Sequence, residues 1–155
     1  MNSEYVVGID GGLVTTGVCI LEYKNGKFTL IFTKDISTSP KKPLEERLYF
    51  IYKNISDILE KFPQIKIMGL EETYVNMNAK SSLKLGMVTG IILSLSVKYN
   101  IKIKFMSPTH IKKNITGFGH GSKELIYTFV SRIVEVPDNL SHHLYDAIAI
   151  GILAI

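Results

Sequence analysis

The sequence of 155 residues predicts an α/β domain: a mixed five-stranded sheet with helices on its faces. Three observations carry this. The chain opens with three runs rich in β-formers, the second and third joined through Asn25-Gly26, the pattern of an antiparallel meander. Two later apolar runs, around Ile65–Leu70 and Ile101–Met106, alternate with stretches of helical spacing, as parallel strands with helical crossovers do. No repeat, low-complexity tract or composition break divides the chain, so residues 1–155 are expected to form a single domain.

The first strand runs from Tyr5 to Asp10, a continuous apolar stretch of the kind buried on both faces. It ends in a carboxylate followed by Gly11-Gly12, which let another backbone, a metal or a phosphate come close. Thr15 to Tyr23 reads as the second strand. Asn25-Gly26 then suits a type I′ turn, which needs positive φ twice. Phe28, Leu30 and Phe32 alternate with Thr29, Ile31 and Thr33 in a third strand, and Asp35 to Lys42 reads as a loop. Pro43 opens a helix at a favoured first-turn position, with Glu45 and Glu46 at the positive end of its dipole. Leu44, Leu48, Ile51, Ile55, Ile58 and Phe62 recur at helical spacing and should pack on the sheet. The fourth strand closes on Glu71-Glu72, and a polar loop from Thr73 to Asn78 follows.

A long helix is expected from Ala79 to Tyr99, with Leu83, Met87, Ile91 and Leu95 along one stripe and Gly86, Gly90 and Ser94 along another. A glycine inside a helix costs roughly 1 kcal/mol against alanine, so two on one face point to a closely packed backbone there. That backbone is either this chain's own sheet or the same helix of a second copy. The fifth strand carries alternating lysines, a short helix follows Pro108, and Gly117–Ser122 is glycine-rich. A helix spans about Ser122 to Val134, and Ser141 caps a last helix from His142 to Ile155.

Apolar residues make up 46% of the chain, enough to build a core, and the net charge of +4 favours an anionic partner. One cysteine excludes a disulfide framework. No basic, then apolar, leader opens the chain, and Ser, Gly or Lys interrupts its longest apolar stretches before bilayer length. A cytoplasmic protein without membrane contact is therefore expected.

Chemistry-bearing groups collect where elements end. Asp10 ends the first strand and Glu71 and Glu72 the fourth, while Asp146 lies one turn into the last helix, three and four residues after His143 and His142. Either histidine can share a helix face with Asp146. Only one of the two glutamates can share a sheet face with Asp10, because strand side chains alternate. Carboxylates converging from separate elements repel unless a cation lies among them. Such oxygen-rich sets suit Mg²⁺ or Mn²⁺, two of which can activate water and stabilise a leaving phosphate oxygen.

Gly8-Ile9-Asp10 with Gly12 and Thr16-Gly17 resembles the opening of the RuvC-type Holliday-junction resolvases. So do Leu70-Glu71, the run Asn78-Ala79 with Ser82-Leu83-Lys84-Leu85-Gly86 and Gly90, the basic stretch Ile111-Lys112 with Gly117-Phe118-Gly119 and Lys123, and Asp146-Ala147-Ile148-Ala149-Ile150. The resemblance covers nearly the whole chain in order. It implies a ribonuclease-H-like fold with helices on both sides of the sheet. It also implies a homodimeric endonuclease that cuts four-way DNA junctions with paired nicks, in recombination, repair or viral genome processing, using divalent metal.

Carried onto this chain, the resemblance implies Asp10, Glu71 and Asp146 as metal ligands for Mg²⁺ or Mn²⁺, with two ions per site. His143 stands where the family usually has a fourth carboxylate, and an imidazole there can bind metal or orient water. Lys112 and Lys123 would hold phosphate or steady transition-state charge, with Lys113 beside them on DNA. Tyr74 falls where an aromatic stacks on junction bases. A branch-migration helicase partner is not readable. Related ribonuclease-H-fold nucleases acting on flaps, RNA–DNA hybrids or poxvirus junctions share this metal site, and a catalytically silent junction binder would follow if His143 disables it. An ATPase or sugar-kinase reading of Asp10-Gly11-Gly12 would require a second such domain.

Overall fold

β1 (Glu4–Asp10) is the middle strand of the sheet. In a computed structural model, which describes residues 2–72, 78–116 and 123–155, β1 pairs antiparallel with β2 (Thr15–Lys24) and parallel with β4 (Ile67–Glu71). β3 (Lys27–Ser37) flanks β2 and β5 (Lys102–Met106) flanks β4, giving the order β3-β2-β1-β4-β5. The meander and the two parallel strands therefore form as expected. Asn25 and Gly26 take φ of 52° and 78°, the two positive values a type I′ turn needs. β3 continues to Ser37, into the segment read as a loop, because its end pairs with the start of β2.

Helices cover both faces. On one, Val7, Ile9, Val18, Ile20, Met68 and Leu70 meet α1 (Leu44–Lys61) and α2 (Ala79–Lys98). On the other, Val6, Cys19 and Leu21 meet α3 (Pro108–Thr116), α4 (Lys123–Ile133) and α5 (His142–Leu153). Pro43 is the N-cap of α1, one position earlier than expected, and offers no side-chain cap.

The buried stripe of α2 departs from expectation. Val88, Ile92 and Leu95 enter the core, while Leu83 is 63% exposed. The helix is turned so that β-branched Val88 and Ile92, not Leu83 and Met87, meet the sheet. A Cβ built on Gly86 or Gly90 would touch nothing, so neither glycine serves packing on this chain's own sheet. By length and composition alone α2 would also pass as a bilayer span, against the expectation that no stretch would. Its buried side belongs to the domain core, and its open apolar side needs another explanation.

α5 lies unusually close to the sheet, and three strand glycines make this possible. A Cβ on Gly17 would stand 2.6 Å from the His143 carbonyl oxygen, and one on Gly69 2.9 Å from the Ile150 oxygen. One on Gly8 would overlap the Ala147 carbonyl oxygen. Backbone cannot yield as a flexible side chain can, so Gly17→Ala should lift the first turns of α5. We expect a loss of about 1–3 kcal/mol in denaturant unfolding, the usual cost of overpacking. A larger proportional loss of activity should accompany it, since that turn carries His143.

Candidate active site

Strand alternation decides between the two glutamates. Gly8 and Gly69, paired across β1 and β4, both face α5, so Asp10 and Glu71, two residues further on, face it too. Glu72 has the opposite parity. Because β1 and β4 are adjacent and parallel, Asp10 and Glu71 leave the same sheet edge side by side.

α5 brings the remaining groups. Ser141 caps it by accepting a hydrogen bond from the Leu144 amide at 3.2 Å, which sets the helix start and so the azimuth of His143 and Asp146. His143 Nδ1 lies 3.1 Å from Asp10 Oδ2, and the two side chains are only 32% and 22% exposed. The rings of His142 and His143 pack at 3.9 Å between centroids. It is His143, not His142, that meets Asp10.

The charges are strongly coupled. Burial, with repulsion from Asp10 and Asp146, pushes Glu71 up to about 7, against the pull of Lys112. Burial pushes Asp10 up to about 6, opposed by its hydrogen bond to His143 and reinforced by Asp146 and Asp35. Asp146 is also raised by burial, although His142, His143, Lys123 and Lys112 all favour its ionised form. Burial outweighs these cationic neighbours, and a divalent cation would meet the remaining electrostatic demand. Among the described residues no three His, Cys, Asp or Glu side chains stand close enough together to hold a metal ion as they are placed. An open, oxygen-rich set fits Mg²⁺, which keeps several waters and shares its ligands with substrate phosphate.

Lys112 of α3 and Lys123 of α4 line, with Glu71 and Asp146, a cleft of about 320 Å³ closed by Ile111, Ile126 and Ile150. The two lysines are thus brought to the carboxylates from separate helices. Lys113 is exposed and lies outside this lining. Tyr74 and the glycine-rich loop fall outside the described residues. The sole cysteine, Cys19, is buried and its thiol is pushed up to about 12 by burial, so it is no nucleophile.

Several features escaped the sequence reading. Gly11 and Gly12 face the protein's own atoms: a Cβ on Gly11 would make ordinary contact with Ile92 and Val88, and one on Gly12 would crowd the Thr15 carbonyl oxygen. Asp35, read as the start of a loop, aligns with Gly17 and through it with Asp10 across three strands. Glycines within strands did signal a close backbone approach, at Gly8, Gly17 and Gly69, but not which element approached.

A ribonuclease-H-like sheet with acids from two adjacent strand ends and a packed helix, and two lysines across the cleft, defines a phosphodiester-cutting nuclease. The family model described as "Crossover junction endodeoxyribonuclease RuvC" matches residues 6–154. A relative of that name from Rickettsia typhi is 32% identical over 147 residues, covering 94% of this chain and 93% of the relative. Another, from Caldanaerobacter subterraneus, is 31% identical over 152 residues, covering 95% and 89%. The solved RuvC of T. thermophilus in complex with a Holliday junction substrate superposes with a TM-score of 0.87 at 26% identity, over 96% of this chain and 90% of that one. A Fowlpox virus resolvase shares the fold alone, at TM-score 0.56 and 12% identity, over 96% of each chain. The chain belongs to the RuvC family of crossover junction endodeoxyribonucleases.

Proposed function

We propose that this chain resolves four-way DNA junctions by hydrolysing phosphodiesters at the edge where Asp10, Glu71 and Asp146 meet. The observation that carries the proposal is the pairing of β1 with β4, which sets two raised carboxylates side by side beneath α5. A divalent cation held by Asp10, Glu71 and Asp146 would polarise the phosphoryl oxygen and lower the pKa of the attacking water. His143 holds the Asp10 carboxylate through Nδ1 and orients it. Lys112 and Lys123 hold the phosphate and the charge that builds on it in the transition state. In-line attack by water leaves 5′-phosphate and 3′-hydroxyl ends. Cleavage of a synthetic four-way junction, compared with flap, duplex and RNA–DNA hybrid under Mg²⁺ and Mn²⁺, tests this. A preference for the hybrid, or no cutting of any substrate, would overturn it.

The open side of α2 favours a homodimer as the working unit. Val97 is 82% exposed, Leu83 63% and Leu93 36%, and they share this side with Gly86 and Gly90. Small residues let two helix backbones approach, and apolar neighbours drive the burial. Two sites related by a two-fold axis would give paired nicks. Gly90→Arg, which has room to fold in the monomer, should halve the mass in sedimentation equilibrium. It should also abolish paired cutting. An unchanged dimer would place the seam elsewhere.

A further inference from the structure

We propose that a cleft between the end of β3 and the start of α1 is a second phosphate-binding site, which seats a backbone phosphate of a junction arm beside the cutting edge. The inference rests on the reading of this chain as a junction nuclease for its choice of ligand, and on the cleft itself for the anion.

The cleft, of about 370 Å³, is lined by Ser39, Lys42, Glu46, Arg47 and Phe50 together with Ser37 and Thr38. Arg47 is the key group: it is only 8% exposed, yet it forms no ion pair with a carboxylate among the described residues. Its Nε donates to Thr38 Oγ1 at 2.9 Å, which fixes the plane of the guanidinium. Its terminal nitrogens make no hydrogen bond among the described residues, and none is sealed away without a partner, so they open on the cleft. A buried guanidinium without a counter-ion is costly, and its fork matches two phosphate oxygens. Lys42 adds a second positive charge. The first amides of α1 have no side-chain cap and can donate to an anion. Glu46 is the opposing group in the wall and should weaken the site.

Position selects the source of the phosphate. Thr38 donates from its hydroxyl to the Leu13 carbonyl and from its amide to the Val14 oxygen at 2.8 Å. Arg47 is thus tied, through Thr38, to the turn that directly follows Asp10. Both lie on the sheet edge where β1 and β4 end, so DNA entering the catalytic cleft can run past this one.

The test measures binding of a synthetic four-way junction without divalent metal, across a salt series, for wild type, Lys42→Ala, Arg47→Gln and Glu46→Gln. Thermal unfolding monitors folding, and inorganic phosphate is titrated in parallel. Lys42→Ala should weaken junction binding about three- to tenfold and shallow the log–log salt slope by about one. Folded Arg47→Gln should do the same, and Glu46→Gln should tighten binding, a sign that lost structure would not produce. Wild-type affinity and slope in both Lys42→Ala and Glu46→Gln would overturn the proposal even if Arg47→Gln unfolds. Protection of wild type by inorganic phosphate, lost in Lys42→Ala but with junction binding unchanged, would overturn the DNA assignment in favour of a free anion. If wild type binds no junction at all, the nuclease reading and the DNA assignment fail together. Phosphate binding that responds to Lys42 would still separate that result from a cleft with no anion affinity.

Discussion

Asp10→Asn should slow cleavage of a four-way junction by about three orders of magnitude, or about 4 kcal/mol of transition-state stabilisation, while leaving junction affinity unchanged. The substitution keeps the shape and removes the charge. Asp10 neighbours Glu71 and meets His143, so its charge would be both the metal ligand nearest the neighbouring strand and the partner of the imidazole. Binding should survive because the lysines of the cleft are untouched. A second readout guards against an unfolded variant. Without divalent cation at pH 8, Asp10→Asn should be at least as stable as wild type, because it removes one of two repelling buried carboxylates. Wild-type cleavage rates in this variant would defeat the assignment of the site.

The second large effect is a pH-dependent stabilisation by Mg²⁺. Burial holds Glu71 at about 7 and Asp10 at about 6, above their ordinary values. For carboxyls raised in the folded state, the stability they contribute is full below their unfolded values. It is lost as pH rises through about 6 and then about 7. The cation-free protein should therefore weaken from pH 4.5 to pH 8, by about 2 kcal/mol from Asp10 alone.

Cation binding has the opposite dependence, because the ion must displace these protons. At a hundred times its Kd, Mg²⁺ stabilises by about 2.7 kcal/mol, or roughly 5–10 °C in Tm for a domain of this size. That increment should be present at pH 8 and nearly absent at pH 5, where the protonated carboxyls compete. Thermal unfolding with and without Mg²⁺ across this range measures it. Equal increments at both ends would mean that the ion binds elsewhere, as would an increment that persists in Glu71→Gln.

The acids Asp10, Glu71 and Asp146 were legible in the sequence because each stands at or near the end of a strongly patterned element. Their meeting was not legible, because it depends on which strands pair. The alternation of side chains left Glu71 and Glu72 open; the family resemblance named Glu71, and the register of β4 on β1, with Gly69 beside Gly8, supplies the geometric reason. Helical spacing lets His142 or His143 accompany Asp146; the resemblance named His143 but left its role open. The close seat of α5 over Gly8, Gly17 and Gly69 puts His143 on Asp10. For α2 the spacing was right for Ile91 and Leu95 but not for Leu83 and Met87, because apolar residues also recur one position later, at Val88 and Ile92. Only packing on the sheet chose Val88 and Ile92. Arg47 gave no signal at all: a basic residue on an amphipathic helix reads as solvated, and only the fold of β3 over α1 buries it.

By itself the sequence determined the order of elements, the Asn25-Gly26 turn and the mixed sheet, because these depend on local propensity and period, while the family resemblance named the candidate acids. The tertiary structure alone decided that Glu71 leaves the sheet beside Asp10, that His143 touches Asp10, and which face of α2 is left open. Those depend on strand register and on how near a helix can approach a glycine backbone, and no local pattern records either.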